Sequence, residues 1–144
     1  LWGANAVNGV INIVTRPAAD TGGLFARTGG GTEERAFAEA RYGGGGAARA
    51  WRVWARVFDR DAFVDSTGRK AADDWRMARG GFRLDAVPPG ASTTWTLQGD
   101  AYLGRSGQTF RFVDLEPPYR RIFVDDTRQA GANLLGRWER ATEA

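Results

Sequence analysis

The chain contains no cysteine and no histidine among its 144 residues. These two absences exclude disulfide frameworks, zinc sites built from Cys and His, cysteine nucleophiles and Ser-His-Asp triads. No catalytic constellation remains recognisable, and we expect the protein not to be an enzyme. We also expect no metal and no cofactor, because the acidic residues of the polar segments do not follow the spacing of an EF-hand.

Lysine and long apolar runs are also scarce. Lys70 is the only lysine, which leaves 19 of the 20 cationic residues as arginine; against 17 acidic residues the formal net charge is +3. Because these charges are interleaved along the chain and form no cluster, we expect no nucleic-acid partner. No apolar run approaches the ~20 residues that a transmembrane helix needs.

Glycine and tryptophan are abundant instead, with 20 Gly and 6 Trp. Between the glycines the sequence alternates with period two, as a strand with two different faces does. The clearest case is the segment from Ala50 to Phe58. One of its faces is apolar, whereas the other mixes arginines with aromatic rings (Arg52, Trp54, Arg56, Phe58).

This alternation predicts six strands, at residues 22–31, 35–42, 50–58, 75–86, 93–104 and 129–140. After a first short turn at 32–34, the connections alternate between short ones (43–48 and 87–92) and long ones (59–74 and 105–128). Segments of about 9–12 residues match tilted strands that cross a bilayer. Tight turns at one end and long loops at the other are typical of a transmembrane antiparallel β-barrel, of which this chain would supply about six strands.

The positions of the charges decide which face of such a barrel meets lipid. A lipid-facing arginine near the middle of the bilayer costs ~2–4 kcal/mol. We therefore predict that the charged residues of the strand middles face the lumen, together with Glu39 (Arg52, Arg56, Arg79, Arg83, Asp85, Asp100). The opposite faces carry aromatic residues near the strand ends, which fits an interfacial girdle (Tyr42, Trp51, Trp95, Trp138). A soluble antiparallel sheet with one wet face would alternate in the same way and remains an alternative.

The first sixteen residues differ from this pattern. They are rich in small residues, carry three asparagines and end in a compact apolar segment, Val10-Ile11-Asn12-Ile13-Val14, before Arg16 and Pro17. This stretch closely resembles the end of the plug domain in TonB-dependent outer-membrane receptors. The family form is Leu-(Tyr/Trp)-Gly-x-x-Ala-x-x-Gly-Val-Ile-Asn-Ile-(Ile/Val)-Thr-(Lys/Arg), and the matching residues are Gly3, Ala6, Gly9, Val10, Ile11, Asn12, Ile13, Val14, Thr15 and Arg16.

The resemblance implies a layout that the strands alone do not. In this family a barrel of about 22 strands encloses a plug, and the TonB-ExbB-ExbD complex pulls on an N-terminal TonB box to move it. Residues 1–18 would be the C-terminal end of the plug domain, and residues 19–144 the N-terminal part of the barrel. The protein would lie in the outer membrane of a Gram-negative bacterium, in contact with its lipid, and import a scarce ligand, most often a ferric siderophore. The TonB box and the rest of the plug and barrel would lie outside this chain, which we interpret as a fragment.

The segment 105–128 is the best candidate for ligand binding. It combines aromatic rings with arginines, which suit anionic, ring-bearing siderophores by stacking and by charge. The candidate residues are Phe110, Arg111, Phe112, Tyr119, Arg120 and Arg121. An ordinary surface loop would have a similar composition, and the sequence does not identify the transported substrate.

Two other classes of protein remain open as alternatives. A passive porin-like or structural outer-membrane barrel would share the strand pattern, but it would need no plug motif. A soluble β-rich binding module would share the alternation without the membrane. The resemblance at residues 1–16 favours the receptor over both.

Overall fold

The structure, a computed structural model, describes residues 15–64, 66–90 and 92–141. A short 3₁₀ helix (Ala19–Thr21) precedes six strands: β1 (Gly23–Gly29), β2 (Glu34–Gly45), β3 (Arg49–Arg60), β4 (Trp75–Ala86), β5 (Thr93–Val113) and β6 (Arg120–Arg140). Within those ranges, no helix has the length and apolar character needed to cross a membrane. The plug-like residues Gly3 to Ile13 lie outside the described residues, so their role stays a prediction.

The six strands form one sheet in the order β1-β2-β3-β4-β5-β6, and every neighbouring pair is antiparallel. Each strand therefore pairs with the next one along the chain, and β1 and β6 are the two edges. The predicted all-β architecture of about six antiparallel strands is confirmed. The connections 46–48 and 87–92 lie at one end of the sheet, which we call the short-turn end. The connections 30–33, 61–74 and 114–119 lie at the other end, which we call the long-loop end after 61–74, the longest of them.

Two predicted boundaries are wrong. The segment 105–128 is not a long loop: β5 continues to Val113, β6 begins at Arg120, and the two strands pair without interruption from Ser106↔Thr127 to Val113↔Arg120. Backbone hydrogen bonds between the two strands therefore hold this segment, although its polar composition had indicated a loop. The glycine run after Tyr42 does not end β2 either, since Gly43–Gly45 pair with β3 residues 50–52.

Cross-strand pairing gathers the side chains into rows, and one face of the sheet is apolar. Its middle row contains only small residues from all six strands (Ala26, Ala40, Ala55, Gly80, Ala101, Ala132). Larger apolar side chains flank this row on both sides, and many are exposed, including Val53, Leu103 and Leu134. We call this surface the apolar face.

Each end of the apolar face has its own border. At the short-turn end the aromatic rings meet in pairs: the ring centroids of Tyr42 and Trp51 are 5.5 Å apart, and those of Trp95 and Trp138 are 6.1 Å apart. At the long-loop end a row of charges crosses the sheet (Asp59, Arg76, Arg105, Arg128). The register thus places the four predicted girdle residues together on the face where the alternation put them.

The opposite face, the polar face, carries the charged residues of the strand middles. The register aligns Arg52 with Arg83 and Arg56 with Arg79, and it places Asp85 and Asp100 on the same side of the sheet. Aromatic rings alternate with these cations, so that the Arg27 guanidinium lies 5.3 Å from the ring centroid of Phe37. All six predicted lumen-facing residues therefore share one face; that this face lines a lumen stays a prediction.

The open edges and the exposed apolar face generate the first prediction. Unpaired N–H and C=O groups along β1 and β6 are templates for pairing with other chains. Expressed as the 144-residue chain alone, the protein should self-associate, and light scattering after size-exclusion chromatography in aqueous buffer should show oligomers or aggregates. A monodisperse monomer that unfolds cooperatively would contradict this expectation.

Candidate functional site

The last two residues of the plug-like motif and the residues that follow them lie across the polar face at the short-turn end. Ala18 is only 1 % exposed and Thr21 only 5 %, although this segment contains a single turn of 3₁₀ helix. The turn is closed by the Thr21 backbone N–H, which donates to the Ala18 carbonyl oxygen at 3.1 Å. This segment is the anchor segment (residues 15–21), and the sheet below it forms the first candidate site.

Asp85 is the centre of that site. Its Oδ2 accepts a hydrogen bond from the Ala18 backbone N–H at 2.7 Å. Arg83 Nε donates to both carboxylate oxygens, at 3.0 and 2.8 Å. Thr96 Oγ1 donates to Oδ1 at 2.9 Å. One carboxylate therefore connects the anchor segment to two strands of the sheet through charge-assisted hydrogen bonds, which are stronger than neutral ones.

Two arginines complete the attachment. Arg83 Nη1 donates to Thr15 Oγ1 at 2.6 Å and to the Thr15 carbonyl oxygen at 3.3 Å. Arg52 Nη1 donates to Thr21 Oγ1 at 3.2 Å. The anchor segment is thus held at both of its ends. Three of the residues that the sequence predicts to face a lumen, namely Arg52, Arg83 and Asp85, contact this segment.

Gly43 leaves the space that the anchor segment occupies. A Cβ atom at this position would lie 3.1 Å from the Thr21 carbonyl oxygen and 2.8 Å from the Trp51 carbonyl oxygen. Any larger residue would therefore press on both the anchor segment and β3. The glycine run that the sequence suggests as a strand break is, at Gly43, a paired strand position that allows close approach.

The sequence did not indicate the roles of Ala18, Thr21 and Thr96. Ala18 and Asp85 are 67 residues apart in the chain, and neither position has a distinctive local pattern. The one available signal was the position of this short, polar connection between the plug-like motif and the first strand.

A second cluster of charges organises the connection between β3 and β4 at the long-loop end. The Asp61 carboxylate accepts hydrogen bonds from Lys70 Nζ, from Arg35 Nη2 and from the Ala62 backbone N–H. These donors, the Lys70 ammonium first, hold the pKa of Asp61 at about 2. Val64 and Lys70 also form an isolated antiparallel β-bridge across this connection. The only lysine of the chain therefore joins the two sides of this loop.

The β5–β6 hairpin extends beyond the rest of the sheet, because β4 pairs with β5 only as far as Ser106. On its polar-face side three rings form a cluster: the centroids of Phe110 and Phe112 are 6.2 Å apart, and those of Phe112 and Phe123 are 5.8 Å apart. They line a shallow cavity of about 390 Å³. We call this group the phenylalanine cluster.

The hairpin brings together only part of the predicted ligand-binding set. Arg121 is the cross-strand partner of Phe112 and forms an ion pair with Asp114. Arg111 and Arg120 lie on the opposite face of the hairpin, because they alternate with Phe110, Phe112 and Arg121. Tyr119 lies in the tip, with a φ of 63°. The six predicted residues thus do not form a single site.

Comparisons of the chain with protein-family models, with curated protein sequences and with solved structures find no match. The candidate sites are therefore defined by their geometry and by the sequence motif.

The second prediction concerns Asp85. Replacing it with alanine removes the acceptor of the Ala18 N–H, and a hydrogen bond to a charged group contributes ~1.5–3 kcal/mol. The anchor segment should then leave the sheet about 10 to 100 times more often. Ala18→Cys introduces the only cysteine of these 144 residues. In the folded full-length protein, with any cysteine elsewhere replaced by serine, the rate of maleimide labelling at position 18 should rise by that factor in Asp85→Ala.

Asp100→Ala is the matched control, since this carboxylate lies on the same face but hydrogen-bonds only to Asn133 among the described residues. Its labelling rate at position 18 should equal that of the parent protein. Equal rates in all three proteins would show that Asp85 does not hold the anchor segment.

Proposed function

We propose that this chain belongs to a TonB-dependent outer-membrane receptor that captures a scarce ligand, a ferric siderophore, and imports it by energy-coupled movement of a plug. The described sheet would be the first part of the barrel wall, with the apolar face towards lipid and the polar face towards the lumen. The observation that carries the proposal is the plug-like motif, followed directly by a segment anchored on the polar face.

The dimensions of the apolar face support a membrane position. On β5 the apolar band runs from Trp95 to Leu103, nine residues with no charge on that face. A tilted strand needs ~9–11 residues to cross the hydrocarbon core. Aromatic rings border the band at one end and charges at the other, as expected where a barrel wall enters water at both sides of the membrane.

The anchor segment supports a plug in preference to an empty barrel. A passive porin-like or structural barrel has no need of a segment that enters from the polar side and is held there by Asp85, Arg83 and Arg52. In the proposed receptor these contacts join the end of the plug to the wall. A soluble binding module, the other alternative, would have to cover the apolar face with further protein.

The phenylalanine cluster supports ligand capture at the long-loop end. Its rings lie on the polar-face side of a hairpin that projects past the other strands, where a ligand would approach from outside the cell. Flat rings stack on such a surface, and the Arg121 guanidinium lies beside it in an ion pair with Asp114. Of the residues that the sequence suggested, this geometry favours Phe110, Phe112 and Arg121.

The third prediction tests the membrane position with two adjacent leucines. Leu134 lies on the apolar face and Leu135 on the polar face, and both are exposed. Leu134→Arg would place a charge in lipid at ~2–4 kcal/mol, whereas Leu135→Arg would place it in water, within ~0.5 kcal/mol. In the full-length protein, the heat-modifiable folded fraction recovered from outer membranes should fall for Leu134→Arg alone. Equal recovery of the two variants would contradict the proposal.

The fourth prediction tests ligand capture at the hairpin. Phe112 and Ile122 are equally exposed, at 54 % and 53 %, but lie on opposite faces of the hairpin. Phe112→Ala should lower the initial rate of ⁵⁵Fe-siderophore uptake by cells about 5- to 10-fold, since stacking of one ring contributes ~0.5–1.5 kcal/mol beyond its buried area.

Ile122→Ala is the control and should leave uptake unchanged, while a protonophore should abolish uptake in both variants and in the parent. Uptake that persists without the proton-motive force would favour the passive barrel. Unchanged uptake in Phe112→Ala would remove the phenylalanine cluster from the ligand path without affecting the membrane assignment.

A further inference from the structure

Three arginines lie side by side at the border of the apolar face, at the long-loop end. Arg76 pairs with Arg105, and Arg105 pairs with Arg128, so their side chains occupy one row on three neighbouring strands. Side chains directly opposite each other in an antiparallel pair have Cβ atoms ~4.5–5.5 Å apart, and like charges at this spacing repel. An anion beside this arginine row (Arg76, Arg105, Arg128) would relieve the repulsion.

The carboxylates closest to the arginine row already have partners. Asp126 forms an ion pair with Arg105, the middle member of the row. Asp59 pairs with Arg76 across the strands, and its Oδ1 lies 3.7 Å from Arg35 Nη1. These carboxylates therefore neutralise only part of the charge at this border.

The two other members of the row are free to meet a further anion. Among the described residues, Arg76 and Arg128 have no carboxylate within ion-pair distance. The carboxylate of Asp74 lies on the loop side of the row, where a Cβ atom at Gly107 would be 2.9 Å from its Oδ1. Both arginine side chains are exposed, so a charged group that approaches from the apolar face can reach them.

An apolar groove of about 510 Å³ adjoins the arginine row on the side of the sheet's middle. Val57 and Leu103 project on either side of it, and Ala78, which pairs with both, forms the floor between them. Arg76 and Arg105 line the end of the groove. Its volume falls within the ~300–1,000 Å³ of ordinary ligand pockets. A ligand that fits here is anionic at one end and apolar along its length.

We propose that the arginine row and this groove bind one phosphorylated lipid of the outer leaflet, with its phosphate on Arg76 and Arg128 and an acyl chain along Ala78. Guanidinium groups match phosphate oxygens in charge and geometry, and arginines beside a membrane attract anionic headgroups. The site rests on the proposed function in one respect: the apolar face meets lipid, and the long-loop end lies on the outer side.

The face on which the groove opens favours lipid as its occupant. In the proposed receptor the plug lies against the polar face, whereas the groove opens on the apolar face. The opposite border of the apolar face carries rings, among them Trp95 and Trp138, where this border carries positive charge. A free phosphate would use the arginine row alone, whereas a lipid phosphate uses the row and the groove together.

The test uses the full-length protein, delipidated in detergent, and native mass spectrometry during titration with dioleoyl phosphatidate. Dioleoyl phosphatidylcholine is the reference with the same chains and no net charge, and glycerol 3-phosphate is the reference with a phosphate and no chains. The parent should bind the phosphatidate at least 10-fold more tightly than either reference.

The first pair of variants tests the charge. Arg76→Gln/Arg128→Gln should lose at least 10-fold in affinity for the phosphatidate and retain the parent's affinity for phosphatidylcholine. Arg111→Gln/Arg120→Gln is the matched control, because it removes the same charge from the same side of the sheet. Arg111 lies six residues beyond Arg105 on β5, ~20 Å along the strand, so this control should bind the phosphatidate as the parent does.

The second pair tests the groove. Ala78→Leu fills its floor and should weaken binding of the phosphatidate at least 5-fold. Ala132→Leu adds the same side chain to the apolar face on β6, outside the groove, and should leave binding unchanged. Both substitutions keep the face apolar, so both proteins should retain the heat-modifiable mobility of the parent.

Three results would overturn the site: equal affinity for the phosphatidate and either reference, equal losses in the two arginine double variants, or a protein dimer that excludes the lipid from the groove. Any of them would leave the comparison of Leu134→Arg with Leu135→Arg intact, because that comparison measures only whether the apolar face lies in the membrane. The lipid site and the proposed function are therefore judged separately.

Discussion

The separation of charge from apolar surface across a single sheet is the constraint on which the rest of the structure depends. Successive side chains of a strand point to opposite faces, and antiparallel pairing aligns the strands so that every row of side chains belongs to one face. The row of Ala26, Ala55 and Ala101 has no polar atom in its side chains, whereas the next row on the other face contains Arg56 and Arg79. A shift of one residue in any pair would move arginines onto the apolar face.

That constraint lets the polar face hold the anchor segment through hydrogen bonds. Its arginines attach the anchor segment through hydrogen bonds that water can replace, since the net free energy of each such bond is small compared with its strength in isolation. A dry apolar contact would offer no such exchange with water.

The two ends of the sheet differ in chemistry as well as in loop length. At the short-turn end, the Trp95–Trp138 pair and the Thr96–Asp85 hydrogen bond lie on opposite faces of β5. At the long-loop end, the charged row is followed by the projecting hairpin and by the Asp61 cluster. Anchoring and ligand capture are thus proposed at opposite ends of one polar face.

The sequence by itself determined the faces and the strand middles, because period-two alternation is a local property of each strand. It therefore predicted which side Arg52, Arg83 and Asp85 occupy, and it supplied the plug-like motif. Only the tertiary structure decided what these residues contact, since Asp85 and Ala18 are brought together across 67 positions by strand pairing. Pairing also turned the predicted loop 105–128 into a hairpin. Alternation along that hairpin places Arg111 and Arg121 on opposite faces. The composition of the segment could not predict this, because it does not say which residues share a face.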